Sequence, residues 1–275
     1  MNLDISVENI TPSLAAAWLK ANTCNRPMRQ SRVDQLARQM QAGHWGLTHQ
    51  GVAFNCDGTL LDGQHRLAAI VQANVPVSMV VTRGVRQDMQ LFMDDHAKRT
   101  ANDSLSLYRS EQITQQDVAV LRAATSLSAA SFCNNASNAE LNIALDTFKD
   151  ALLFCRNYSE RKRTRGVGAA PVWGAVALAW FYVTDLKRLD QFCRIVSGDA
   201  MATDETDNAP HLLREWLLKN GLSGGPMRQE AFKKTQRAIK AFMERTPISR
   251  LCGTVHFYPY PLVNPIRSCA KETLQ

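Results

Sequence analysis

Apolar and polar positions change rhythm along this chain. In the first part, short strand-like apolar runs alternate with helical spacing. The pattern predicts a helix over Ser31 to Ala42, a strand near Gly51 to Asn55, a turn at Asp57-Gly58 and a strand over Val77 to Val81. Between them, Leu60-Leu61-Asp62-Gly63-Gln64-His65-Arg66-Leu67-Ala68-Ala69-Ile70 runs as a strand to Asp-Gly and resumes as an amphipathic helix. Past Asn102 to Glu111, where Asp103-Ser104 offers a cap for a short helix, long helical periodicity takes over. It predicts helices over Thr114 to Phe132, Asn138 to Tyr158, Ala170 to Thr184, Leu186 to Ser197, Pro210 to Asn220 and Met227 to Arg245. Gly221, Gly224, Gly225 and Pro226 mark the turn before the last of these. The expected architecture is α+β: a small mixed domain over 1–105 and an all-helical domain over 106–275.

The strand-to-helix turn carries the first candidate chemistry. A glycine at position 63 lets the backbone turn sharply and approach a ligand, and the first N–H groups of the following helix point at any bound anion. Gln64, His65 and Arg66 add side-chain donors. A tight turn whose polar residues merely cap a helix would read the same way.

Composition fits an ordered globular protein. Hydrophobic residues make up 45% and charged residues 21% of 275, enough for one large or two modest cores. The opening, Met1-Asn2-Leu3-Asp4-Ile5-Ser6, has no basic stretch followed by an apolar one, so no secretory signal and a cytoplasmic location are expected. The longest apolar run, Ala169 to Val183, includes Pro171 and is shorter than the ~20 residues that cross a bilayer; it reads as a buried helix, with no membrane partner. The 7 cysteines show neither paired spacing nor disulfide density and read as reduced thiols, with Cys133, Cys155 and Cys193 in the core. The 6 histidines lie far from these three in sequence, so a zinc site is not expected. Trp173, Trp180, Phe181, Tyr182 and Trp216 read as packing residues, and the segment Gly198 to Asn208 as an acidic surface loop. The proline-rich tail around Pro259, Pro261 and Pro265 cannot continue a helix and is expected to cross the surface of the fold.

A net charge of +7 favours a polyanionic partner. The run Arg161-Lys162-Arg163-Thr164-Arg165, followed by Gly166-Val167-Gly168, is a candidate handle for DNA phosphates, through Arg161, Lys162, Arg163 and Arg165. A solvated loop between helices is the alternative. Arg26, Arg29, Arg32 and Arg38 frame the approach to the Gly63 turn, although Arg32 and Arg38 also suit the polar face of a helix.

The order of Asn25-Arg26-Pro27-Met28-Arg29, helix, strand, Asp57-Gly58, the Asp-Gly-Gln-His-Arg turn and strand resembles the ParB/sulfiredoxin superfamily, in the form carried by phage and bacterial proteins. ParB-type domains read Gly-Glu-Arg-Arg at that turn and hold a nucleoside triphosphate there; sulfiredoxins read Gly-Cys-His-Arg. The resemblance implies a nucleotide or phosphate site at Gly63, Gln64, His65 and Arg66, and the absence of the Cys excludes sulfiredoxin chemistry at the turn. Further on, Phe92-Met93-Asp94-Asp95-His96-Ala97-Lys98-Arg99-Thr100 is similar in place to the Glu-Asn-Leu-Gln-Arg motif that helps ParB hold magnesium. It would give Asp94 and Asp95 as Mg2+ ligands and catalytic carboxylates, with Arg99 on the phosphates. Asp62 would orient a nucleophile or a metal-bound water. The similarity covers about the first hundred residues.

These readings imply a ParB-like protein that binds CTP or ATP with Mg2+, acts with DNA, and works as an NTPase or phosphotransferase. A homodimer is a further expectation. The free-serine kinase of the superfamily depends on a carboxylate where this chain has Asn25, which argues against that reaction. The alternatives are a non-catalytic DNA-binding regulator or partition-like protein and, ranked lowest, a nuclease built on the acidic pair.

Overall fold

A computed structural model describes residues 3–23, 25–91, 99–127, 136–159, 166–201, 207–220, 222–253 and 256–261. The chain is mixed α+β and divides into two compact units, Met1–Arg99 and Thr100–Gln275. The capping residue at the head of the second unit is Thr100. Its hydroxyl accepts the Asp103 N–H, and the Asp103 carboxylate accepts the Thr100 N–H at 3.0 Å, closing a capping box that starts the second unit's first helix.

The first unit is a four-stranded sheet with helices packed on it. Its elements are β1 (Asp4–Ile10), α1 (Pro12–Leu19), α2 (Gln30–Gln41), β2 (Val52–Asn55), β3 (Leu60–Asp62), α3 (Gln64–Ala73) and β4 (Val77–Val85). The strand order is β1-β4-β2-β3; β4 is antiparallel to β1 and parallel to β2, and β2–β3 is a hairpin. The hairpin turns because Asn55 Oδ1 accepts the N–H groups of Asp57 (2.9 Å) and Thr59 (2.8 Å) around Gly58, whose φ is +81°. Val33, Leu36 and Met40 of α2, Leu67 and Ile70 of α3, and Val77, Met79 and Val81 of β4 share one buried core with Val52, Phe54 and Leu60.

β1 departs from the usual alternation. Ile5 and Val7 are exposed, while Ser6 and Glu8 turn towards Arg83, which forms a two-pronged ion pair with Glu8 and lies 5.5 Å from the Trp18 ring centroid. Trp18 in turn meets Phe54 edge to face at 5.1 Å, so this ion pair rests on the rim of the core.

The second unit is helical among the described residues: α4 (Ala101–Arg109), α5 (Gln115–Leu127), α6 (Asn138–Ser159), α7 (Ala170–Tyr182), α8 (Leu186–Ser197), α9 (Ala209–Lys219) and α10 (Gly225–Met243). The expected helices occur with small shifts at their ends, the expected stretch 128–132 after α5 lying outside the described residues. α7 is the hub, apolar all round and buried along nearly its whole length, with Trp173 fully enclosed. Gly174 lets α5 come close: a Cβ there would stand 2.8 Å from Ala123 Cβ. Trp173 and Phe181 are buried, and Cys155 and Cys193 are free buried thiols whose pKa burial pushes up. Cys133 lies outside the described residues.

Among the described residues of this unit, two buried carboxylates are paired with arginines. Asp117, 2% exposed, accepts from Arg156 Nε (2.8 Å) and Nη2 (2.6 Å) and from the Thr114 backbone (2.7 Å). Asp207 pairs with Arg188, whose guanidinium also donates to the Phe242 carbonyl and stacks 4.1 Å from its ring centroid. Asp207 therefore is a buried tie and not part of an acidic surface loop. The segment after α10 is anchored as well. Gln236, fully buried, donates to the Tyr258 carbonyl (2.9 Å) and accepts the Phe257 N–H (2.9 Å), and Tyr258 itself is buried. No helix among the described residues is long and apolar enough to cross a membrane.

Gly51 decides how β2 meets β4. A Cβ there would stand 1.7 Å from the Val80 carbonyl oxygen, a contact that only strand separation relieves. Gly51→Ala should therefore unfold the first unit, or at least lower its melting temperature sharply. Gly46→Ala, where a Cβ meets nothing within 4 Å, should leave melting nearly unchanged. Equal melting of the two variants by circular dichroism would refute this account.

Candidate functional site

The turn from β3 into α3 is built on Gly63, at φ +105° and ψ 4°. The position is closed as well as twisted: a Cβ would lie 3.0 Å from Val52 Cγ2 and 3.1 Å from Val52 Cα. The first turn of α3 thus leans directly on β2. Gly63, the N-cap residue of α3, has no side chain to bond the first N–H groups of the helix. Asp62 secures the turn, its carboxylate accepting the Gly63 N–H at 2.6 Å and Arg66 Nη1 at 3.3 Å. Arg66 also donates to the Gly51 carbonyl at 2.7 Å, bracing α3 against the start of β2. Nε and Nη2 of Arg66 carry the remaining donors of its guanidinium.

Gln64 is not on the outer surface of this turn. It is 5% exposed, its amide oxygen accepts from Asn22 Nδ2 at 3.0 Å and its nitrogen donates to the Arg26 carbonyl at 2.8 Å. Expected as a ligand donor, it is held inside the unit, because a buried amide needs partners and these are main chain and Asn22. Asn25 donates to Asn22 Oδ1 and to the Leu60 carbonyl, both at 2.7 Å, and so fixes the same segment to β3.

His65 Nε2 accepts the backbone N–H of Arg29, the residue before α2, at 3.0 Å. An accepting Nε2 defines a neutral ring with its proton on Nδ1. Desolvation holds the pKa of His65 below the ordinary histidine value, and the guanidiniums of Arg26, Arg32, Arg29 and Arg66 push it the same way. Arg32 is itself shifted down, by burial and by the charge of Arg66, and donates to Gln35 Oε1 at 2.6 Å. Four guanidiniums act on one imidazole, and the carboxylate paired with one of them is Asp62. An anion with several oxygens is the ligand that such a field favours.

The other expected site residues divide as follows. Arg99 is exposed and is the last residue of the first unit. Asp94, Asp95 and His96 lie outside the described residues, as do Arg161, Lys162, Arg163 and Arg165. Among the described residues no group of three or more His, Cys, Asp or Glu stands ready to hold a metal. Three residues at the turn escaped the sequence reading: Asn22 and Gly51, which position it, and the Arg29 backbone, which meets His65. An isolated glycine at the head of an apolar strand and the Asn22 to Asn25 cluster were the available signals.

Comparison with known proteins found no matching family model, no matching curated protein and no matching solved structure.

The neutral state of His65 has a measurable consequence. Its folded pKa lies below the unfolded value of about 6.5, so the unfolded chain binds more protons and stability falls as pH drops below ~6.5, until the folded pKa is passed. His65→Gln keeps a side-chain acceptor and removes the titration. The wild type should lose more stability than this variant between about pH 6.5 and 5 in urea unfolding; parallel losses would mean that His65 does not titrate as described.

Proposed function

We propose that the first unit binds a nucleoside triphosphate, CTP or ATP, at the Gly63–Arg66 turn, as the resemblance to ParB-type domains implies. The observation that carries this reading is the convergence of Arg26, Arg29, Arg32 and Arg66 on a neutral His65 beside the uncapped start of α3. Like charges held together raise the free energy of the empty site, and a polyphosphate relieves that repulsion on binding. Arg66 and Arg32 would meet phosphate oxygens, and the N-terminal N–H groups of α3 would meet the nearest phosphate. Mg2+ would be held by Asp94 and Asp95 and would neutralise developing charge in hydrolysis or phosphoryl transfer. Asp62 takes an orienting part in this scheme, consistent with its half-exposed carboxylate on Arg66.

Thermal shift should show stabilisation of the wild type by CTP or ATP, through mass action, and its loss in Arg66→Ala. Because Arg66 also braces β2, Arg32→Ala is the cleaner variant, with about tenfold weaker binding expected for one lost charge-assisted contact. Stabilisation of both variants equal to that of the wild type would overturn the nucleotide reading.

DNA is the proposed macromolecular partner, supported by the net charge of +7 and the four cations of the Arg161–Arg165 run. A regulator that binds DNA without turnover is the second reading, and the same run supports it. Replacing Arg161, Lys162, Arg163 and Arg165 with Ala should reduce the slope of log affinity against log salt by up to about 3.6, at roughly 0.9 per phosphate contact. An unchanged slope would remove the run from the interface.

A further inference from the structure

We propose that Gln64 and His65 are positioning residues: they clamp the segment Arg26-Pro27-Met28-Arg29 to the first turn of α3, making Arg29 and the N-terminus of α2 the second wall of the phosphate site. The proposal rests on the phosphate reading above and assigns these two residues a different part in it. Gln64 grips one end of the segment through the Arg26 carbonyl at 2.8 Å, and His65 grips the other through the Arg29 N–H at 3.0 Å. Both contacts are to main chain, so they place the segment whatever its side chains do.

The segment is stiff between its two anchors. Pro27 has a fixed φ and disfavours helical geometry at Arg26, and Arg29 is extended at φ −95°, ψ 104° before α2 begins. Asn22 reinforces the first anchor from behind: it donates to Gln64 Oε1 at 3.0 Å and accepts from Asn25, which is tied to the Leu60 carbonyl. No side chain caps α2 among the described residues, so its N-terminal dipole is left for a ligand beside that of α3. A buried glutamine in the first turn of a helix is costly unless both its ends are bonded, and here one bond holds the arginine segment while the other, from Asn22, holds Gln64 in place. The chain has already met the cost of ordering Arg26 and Arg29 before ligand arrives, which is the source of the affinity.

The test is calorimetric titration with inorganic tripolyphosphate at about pH 8, where His65 is neutral. Gln64→Met fills the buried volume and removes both hydrogen bonds. It should weaken binding about tenfold, and Asn22→Ala should weaken it in the same direction. The decisive readout is a double-mutant cycle with Arg29→Ala. If Gln64 acts by holding Arg29 in place, Gln64→Met adds little once Arg29 is gone, whereas a general loss of stability adds in full. Should Gln64→Met fail to fold, the same cycle is run with Asn22→Ala. Affinities within about twofold of wild type in the folded variants, or full additivity with Arg29→Ala, would overturn the clamp. Wild-type protein that does not bind tripolyphosphate, or binds it equally well with Arg66→Ala, overturns the phosphate reading and the clamp together.

Discussion

The positive field that Arg26, Arg29, Arg32 and Arg66 exert on His65 sets the terms for the turn in the first unit. These guanidiniums come from a loop, from α2 and from α3, and the elements that carry them are placed by packing and main-chain contacts, with Asp62 pairing Arg66. Gly63 leans α3 on β2, Gly51 lets β2 close on β4, Gln64 and Asn25 fasten the loop, and the apolar stripe of α2 buries Val33, Leu36 and Met40. Hydrophobic burial and main-chain hydrogen bonds outweigh the unfavourable field. His65 answers that field by staying uncharged, which leaves Nε2 able to accept the Arg29 N–H; a protonated ring would lose the bond and add another positive charge.

The second unit is organised by packing and by enclosed ion pairs. α7 is surrounded by α5, α6 and α10, and the close approach at Gly174 draws α5 against it. The buried pair Arg188–Asp207 and the half-buried pair Arg156–Asp117 contribute geometry more than net stability, since desolvation offsets much of their attraction. Their further hydrogen bonds, to the Thr114 backbone and the Phe242 carbonyl, fix the ends of helices that apolar contacts alone would let slide.

Much of this architecture could be read from periodicity. The runs for α2, α6, α8 and α10 place their helices within a few residues, and the Asp-Gly turn announces the strand-to-helix junction. β1 was harder: its alternation is real but reversed, with Ile5 and Val7 outward and Ser6 and Glu8 towards Arg83, so a reading that sends apolar residues inward misplaces the strand. The start of the second unit's first helix is set locally, because the capping threonine stands three residues before the aspartate that completes its box.

By itself the sequence determined the mixed small unit, the helical second unit, the need for glycine at position 63 and the supply of arginines before α2. Local propensity and periodicity depend on neighbours along the chain, and these features are local. Only tertiary structure decided what Gln64 and His65 do, since their partners are Asn22, the Arg26 carbonyl and the Arg29 N–H, whereas Asp62 bonds locally to Gly63 and Arg66. Three residues that spell a row of candidate ligands face three environments: a buried amide, a neutral acceptor and a turn-forming carboxylate. Side chains adjacent in a helix point in different directions, so contacts tens of residues apart in sequence assigned the roles of Gln64 and His65.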